Sequence, residues 1–114
     1  MQNETKKINL IVDEITSLLM GKGAIEISVR IKTSDENTVI KITEYDSQLD
    51  NEFIEKMQEN LDLPRQYEVE DYYWQLTTDN GMNEDMYLIG TMVDSGTITK
   101  AEDGNLYIEV LRNK

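Results

Sequence analysis

Apolar residues in the first third of the chain follow two different periods. Ile8, Ile11, Val12, Ile15, Leu18 and Leu19 recur at three- and four-residue steps, which predicts one helical stripe over residues 5–20. Asn3 or Thr5 suits the start of that helix, and Gly21 and Gly23 suit its end. The period then shortens to two. Ile25, Ile27, Val29 and Ile31 alternate with Glu26, Ser28, Arg30 and Lys32, which predicts a strand over 25–31 with one buried face. Thr33-Ser34-Asp35-Glu36-Asn37 is turn chemistry. Alternation resumes from Val39 to Glu44 through Ile40 and Ile42, so an antiparallel hairpin is expected.

In the middle, Leu49, Phe53, Met57 and Leu61 fall at four-residue steps with Asp50 and Glu52 at the front, which predicts a helix over 49–61 stopped by Pro64. Tyr67 to Thr78 fits two patterns: Tyr72, Tyr73 and Trp74 suit a strand, while the surrounding acids suit a helix or lid. Asp79-Asn80-Gly81 signals a turn. A further helix is expected from Asn83 to Val93, with Asn83 as cap and Met86, Ile89 and Val93 on one face. The chain closes as strand, turn and strand: Thr97 to Lys100, Ala101-Glu102-Asp103-Gly104, then Leu106, Ile108 and Val110. This order predicts a single domain over 1–114, a two-layer α/β (α+β) sandwich. Its mixed or antiparallel sheet of about four strands carries helices on one face. Ile8, Ile11, Ile15, Leu18, Ile25, Ile27, Val29, Ile31, Ile40, Ile42, Ile108 and Val110 are the expected core.

Charge sharpens the picture. The 114 residues carry 23 acids against 11 bases, a net −12. Between Glu44 and Asp85 there are 13 acids and only two bases, Lys56 and Arg65, so that segment holds −11 of the total. Such a field disfavours nucleic-acid backbones and anionic membranes. A solvated acidic surface and a docking surface for a basic partner are both open readings of it. No apolar run is long enough for a membrane span, and residues 1–7 do not form a secretory signal, so a cytoplasmic location is expected.

The residue inventory removes much chemistry. There is no histidine and no cysteine, which takes away the usual neutral-pH acid/base, disulfides and the common zinc and haem ligands. No P-loop, G-x-G-x-x-G or G-x-S-x-G string occurs. Carboxylate pairs abound, but none stands at a strand end or in a glycine-rich loop. Residues 79–85 miss the ligand spacing of an EF-hand. Metal and cofactor sites are therefore not expected. The tyrosines with Trp74 leave a ligand cage open as a reading.

The element order and two strings resemble the GHKL (Bergerat-fold) ATPase superfamily, in particular its bacterial anti-sigma-factor serine kinases and histidine-kinase ATPase domains. The first string, residues 8–23 running into the strand 25–31, is similar to the family's N-box helix, with Glu14 where that box has its glutamate. The second, Met92-Val93-Asp94 through Gly104 to Ile108-Glu109-Val110, resembles the family's last helix and closing hairpin. The nucleotide motifs depart from the family's. Leu18 stands where an asparagine would hold magnesium. Glu44-Tyr45-Asp46 replaces the D-x-G that reads adenine, and Asn83-Glu84-Asp85-Met86-Tyr87-Leu88 replaces the phosphate-binding glycines. With these lost, Glu14 is expected as a glutamate on the helix's exposed polar face.

The resemblance implies a histidine-kinase-like signal-transduction domain without ATP chemistry. Its partner would be a regulatory protein with a basic surface, a sigma factor or antagonist among the family's partners. The expected binding residues are Phe53, Glu68, Glu70, Asp71, Tyr72, Tyr73 and Trp74. Two alternatives stand beside it: a divergent serine kinase or ATPase that uses ATP and magnesium, and a small-ligand module built on the Tyr/Trp cluster. Nothing in the sequence sets the oligomeric state.

Overall fold

The computed structural model describes residues 4–68 and 87–114. Its elements are α1 (Glu4–Gly21), β1 (Ile27–Thr33), β2 (Asn37–Glu44), α2 (Asn51–Leu61), α3 (Tyr87–Met92), β3 (Ser95–Lys100) and β4 (Leu106–Asn113). The strands form one antiparallel sheet in the order β1-β2-β4-β3, with helices packed on one face. The two-layer α/β sandwich expected from the periodicities is the fold found.

Local chemistry explains the boundaries. Gly23, at φ 95°, ends α1: its N–H reaches Met20 O, and Ala24 N–H reaches Leu19 O at 3.0 Å. That is the paired C-terminal motif in which a left-handed residue lets the chain reverse. Thr5 lies inside α1 rather than capping it, and Asn3 falls outside the described residues. Asp50 is the cap of α2, its carboxylate accepting Phe53 N–H at 2.8 Å, so the helix begins two residues later than the sequence suggests. The described part of the last helix is Tyr87–Met92; the expected start at 83–86 lies outside the described residues.

Strand parity assigns the faces. Thr38, Ile40, Ile42 and Glu44 of β2 and Leu106, Ile108, Val110 and Arg112 of β4 point to the helices and are buried. They meet Leu10, Ile11, Ile15, Leu18 and Leu19 from α1, Met57 and Leu61 from α2, and Ile89, Met92 and Val93 at and beyond α3. Full burial of one such aliphatic side chain contributes about 1.5–3 kcal/mol. The opposite face of the sheet is open, presenting Arg30, Lys32, Lys41, Thr97, Thr99, Tyr107 and Glu109 to solvent.

The expected core needs five corrections, four of them within the expected first strand, 25–31. Ile25 is 76% exposed, Ile31 48% and Val29 37%, while Ile27 is half-buried. Val29 and Ile31 share a face with Ile40 and Ile42, as Val29↔Ile42 and Ile31↔Ile40 pairing requires, yet no helix among the described residues covers them. β1 is an edge strand, and the helix layer sits over β2, β4 and β3. Ile8 is the fifth, partly buried at the margin of the core.

Two polar side chains lock the layers together. Gln58 of α2 donates to Gly96 O at 2.8 Å and accepts from Ile98 N–H at 2.9 Å. Its amide thereby occupies the outer edge of β3 as a strand's peptide group would. Arg65, after α2, binds Asp94 at 2.9 Å and Asn113 O at 2.8 Å, tying that loop to the start of β3 and the end of β4.

Candidate protein-binding surface

α2 is two-faced. Met57 and Leu61 point into the core, whereas Glu52, Glu55 and Glu59 are exposed and share the outward side at three- and four-residue steps. Asp50 before the helix and Asp62 after it are exposed too. The outward side therefore holds three carboxylates with Lys56 among them, and the exposed Asp50 and Asp62 flank the helix at its two ends. Neighbouring like charges cost a few tenths of a kcal/mol per pair on an isolated helix. Tertiary packing through Met57, Leu61 and Gln58 holds α2 in place despite that cost.

The residues anticipated as partner contacts distribute unevenly. Phe53 is half-buried and packs on the core, with the Lys22 ammonium 4.6 Å from its ring centre. It supports the surface from below rather than projecting from it. Glu68 is exposed. Glu70, Asp71, Tyr72, Tyr73 and Trp74 lie outside the described residues, as does the 79–85 string. Glu44, the first acid of the segment, faces the helix layer at 3% exposure and is no part of the surface. Sequence reasoning missed that exclusion, although its alternation with Ile40 and Ile42 carried the signal.

Glu14 also corrects its expectation. It is buried at 4% exposure, on the core side of α1 together with Lys7, Ile11 and Leu18. Its position three residues after Ile11 and four before Leu18 puts it on the apolar stripe itself.

The positions that carry nucleotide motifs in the resembling family serve structural ends here. Leu18 is in the core. The Tyr45 hydroxyl lies 3.2 Å from Ser28 Oγ, and Asp46, at φ 55°, donates its N–H to Asn105 Oδ1 at 2.9 Å. Among the described residues no three acids, histidines or cysteines gather as a metal site, and no helix is long and apolar enough to cross a membrane. Comparison with family models, curated proteins and solved structures returns no match.

Proposed function

We infer that this chain is a regulatory protein-binding domain that engages a basic partner through the outward side of α2. The observation that supports it is the one-sidedness of that helix: acids outward, core residues inward, and a rigid seat provided by Gln58. A fixed row of carboxylates steers a Lys/Arg-rich surface toward one place and orients it on arrival. The resemblance to anti-sigma-factor kinases gives the reading its biological form, a cytoplasmic signalling regulator that works by occupancy rather than by turnover.

A Lys/Arg-rich peptide serves as probe. Neutralising Glu52, Glu55 and Glu59 to Gln is expected to weaken its binding about tenfold and to flatten the dependence on ionic strength. Neutralising Asp35, Glu36 and Glu102, an equal change of charge elsewhere, is expected to leave binding within about twofold. Equal losses from both triple variants would show that bulk charge alone attracts the peptide, and the α2 reading would fall.

The same inference expects no use of ATP. Leu18 has no oxygen for magnesium, and Tyr45 and Asp46 are engaged in the loops they stabilise. Each missing polar contact costs a ligand about 1–3 kcal/mol. Calorimetric titration with Mg-ATP should show no saturable heat. A micromolar dissociation constant would instead favour the kinase or ATPase alternative.

A further inference from the structure

The two edges of the sheet are treated differently. On β3, the Gln58 amide takes up Gly96 O and Ile98 N–H. On β1, among the described residues, no side chain plays that part.

The direction of the β1 peptide groups follows from the ladder. Tyr45 N–H donates to Glu26 O at 2.9 Å, and Ser34 N–H donates to Asn37 O at 2.8 Å. Even-numbered residues on this strand thus turn their peptide groups toward β2. Antiparallel pairing alternates strictly, so Ile27, Val29, Ile31 and Thr33 turn theirs outward. Val29 and Ile31 also carry exposed apolar side chains that no helix among the described residues covers, while Ile27 is half-buried against the margin of the core. Outward-turned donors and acceptors and exposed apolar area thus coincide on Val29 and Ile31.

A soluble edge strand is ordinarily blunted by proline, a bulge or inward-pointing charge. β1 has none of these on its helix-side face. Its charges, Glu26, Arg30 and Lys32, lie on the other face with Ser28.

We propose that β1 pairs antiparallel with β1 of a second copy of this chain, about a two-fold axis through Val29, to make one continuous eight-stranded sheet. Only odd-numbered residues have outward peptide groups, so hydrogen-bonded pairs must join odd to odd. Centring on Val29 matches Val29 with the second copy's Val29, Ile27 with its Ile31, and Ile25 with its Thr33. On the open face the same register sets Glu26 opposite Lys32 and Ser28 opposite Arg30, each twice. The strand is thus self-complementary in hydrogen bonds, apolar surface and charge, as a two-fold interface requires.

Charge elsewhere does not oppose it. The stretch 22–41 holds four bases and three acids within a chain of net −12, so the copies meet at their least negative region. The axis stands perpendicular to the sheet, placing both α1 helices on one side, where the paired apolar strips form a floor between them. The acidic side of α2 belongs to the opposite flank, over β3, and stays accessible. The pairing is therefore independent of the partner proposed above.

Sedimentation of the intact chain over roughly a hundredfold concentration range should show a reversible monomer–dimer equilibrium. Glu26→Lys alone, or Lys32→Glu alone, puts like charges opposite each other twice and should weaken the dimer about tenfold. The double variant Glu26→Lys/Lys32→Glu restores opposite charges and should recover wild-type association. Val29→Lys places two ammonium groups together on the axis and should leave a monomer, with circular dichroism reporting the retained fold. A wild-type chain that stays monomeric at every concentration overturns the proposal. So does association that Val29→Lys leaves unchanged, or a double charge swap that fails to recover it.

Discussion

Replacing Gly90 with alanine should cost the domain about 3 kcal/mol or more, the far end of what overpacking does in a close-packed interior. α3 crosses the C-terminal turn of α2 at Gly90, and a methyl group there would be driven into the backbone carbonyl of Asn60. A flexible side chain could turn aside, but a helical carbonyl cannot. Relief requires the two helices to separate, and that would strip Ile89 and Met92 from their packing with Leu61. Gly21→Ala makes the control. Nothing lies within 4 Å of its added methyl and the site is helical, so stability should rise by up to about 1 kcal/mol. Urea unfolding of both variants gives the comparison. A Gly90→Ala protein as stable as wild type would mean that α2 and α3 are not in close contact.

Arg112→Met should be nearly as damaging, with a loss of about 3 kcal/mol. Arg112 is fully buried, yet it ends the alternation Leu106, Ile108, Val110 on the helix-side face of β4. Its Nε and Nη2 hold the two carboxylate oxygens of Glu4 at 2.7 and 2.9 Å, and Nη1 donates to Met92 O at 2.7 Å. One guanidinium thus fastens the start of α1 and the end of α3 to the central strand. Methionine keeps much of the volume and deletes the bonds to Glu4 and Met92 O. Glu4 is partly exposed and can turn to water, so the principal loss falls on the buried Met92 carbonyl. Arg112→Lys restores the charge without the fork and should lie between the two. A double cycle with Glu4→Gln, read by thermal and urea unfolding, isolates the Glu4 share. Wild-type stability in Arg112→Met would show that the fork holds nothing.

Periodicity alone sufficed for α1, the two hairpins, α2 and the layer arrangement. Coverage was a different matter. Ile25–Ile31 and Ile40–Ile42 alternate alike, but strand order decides which of them lies under a helix. That order, β1-β2-β4-β3, is set by the long crossover and leaves no mark in either hairpin. Glu14 and Arg112 show the reverse case, since their register puts both on buried faces while their chemistry suggests solvent. Burial followed register, and for Arg112 the fork to Glu4 and Met92 O makes that tolerable. The acids of α2 were legible as a run, and the structure adds which of them share a side. Gln58 carries no sequence signal at all: an amide at a helical position acquires its role only when β3 comes alongside.

The place of β4 bears on how the chain is made. β4, which leaves the ribosome after β1, β2 and β3, sits between β2 and β3, and Glu4 meets Arg112 across 108 residues of sequence. While synthesis proceeds, β2 lacks β4 on its inner edge and Glu4 of α1 lacks the Arg112 fork. β3, once emerged, can take up the Gln58 amide on its outer edge, but its ladder partner is β4. The sheet cannot grow in the order of translation; it must wait for β4 and then close from the middle outward. Chains of this kind fold slowly for their length and expose unpaired strands meanwhile. Truncation before residue 106 would therefore remove far more than one strand, because β4 joins the β1–β2 hairpin to β3.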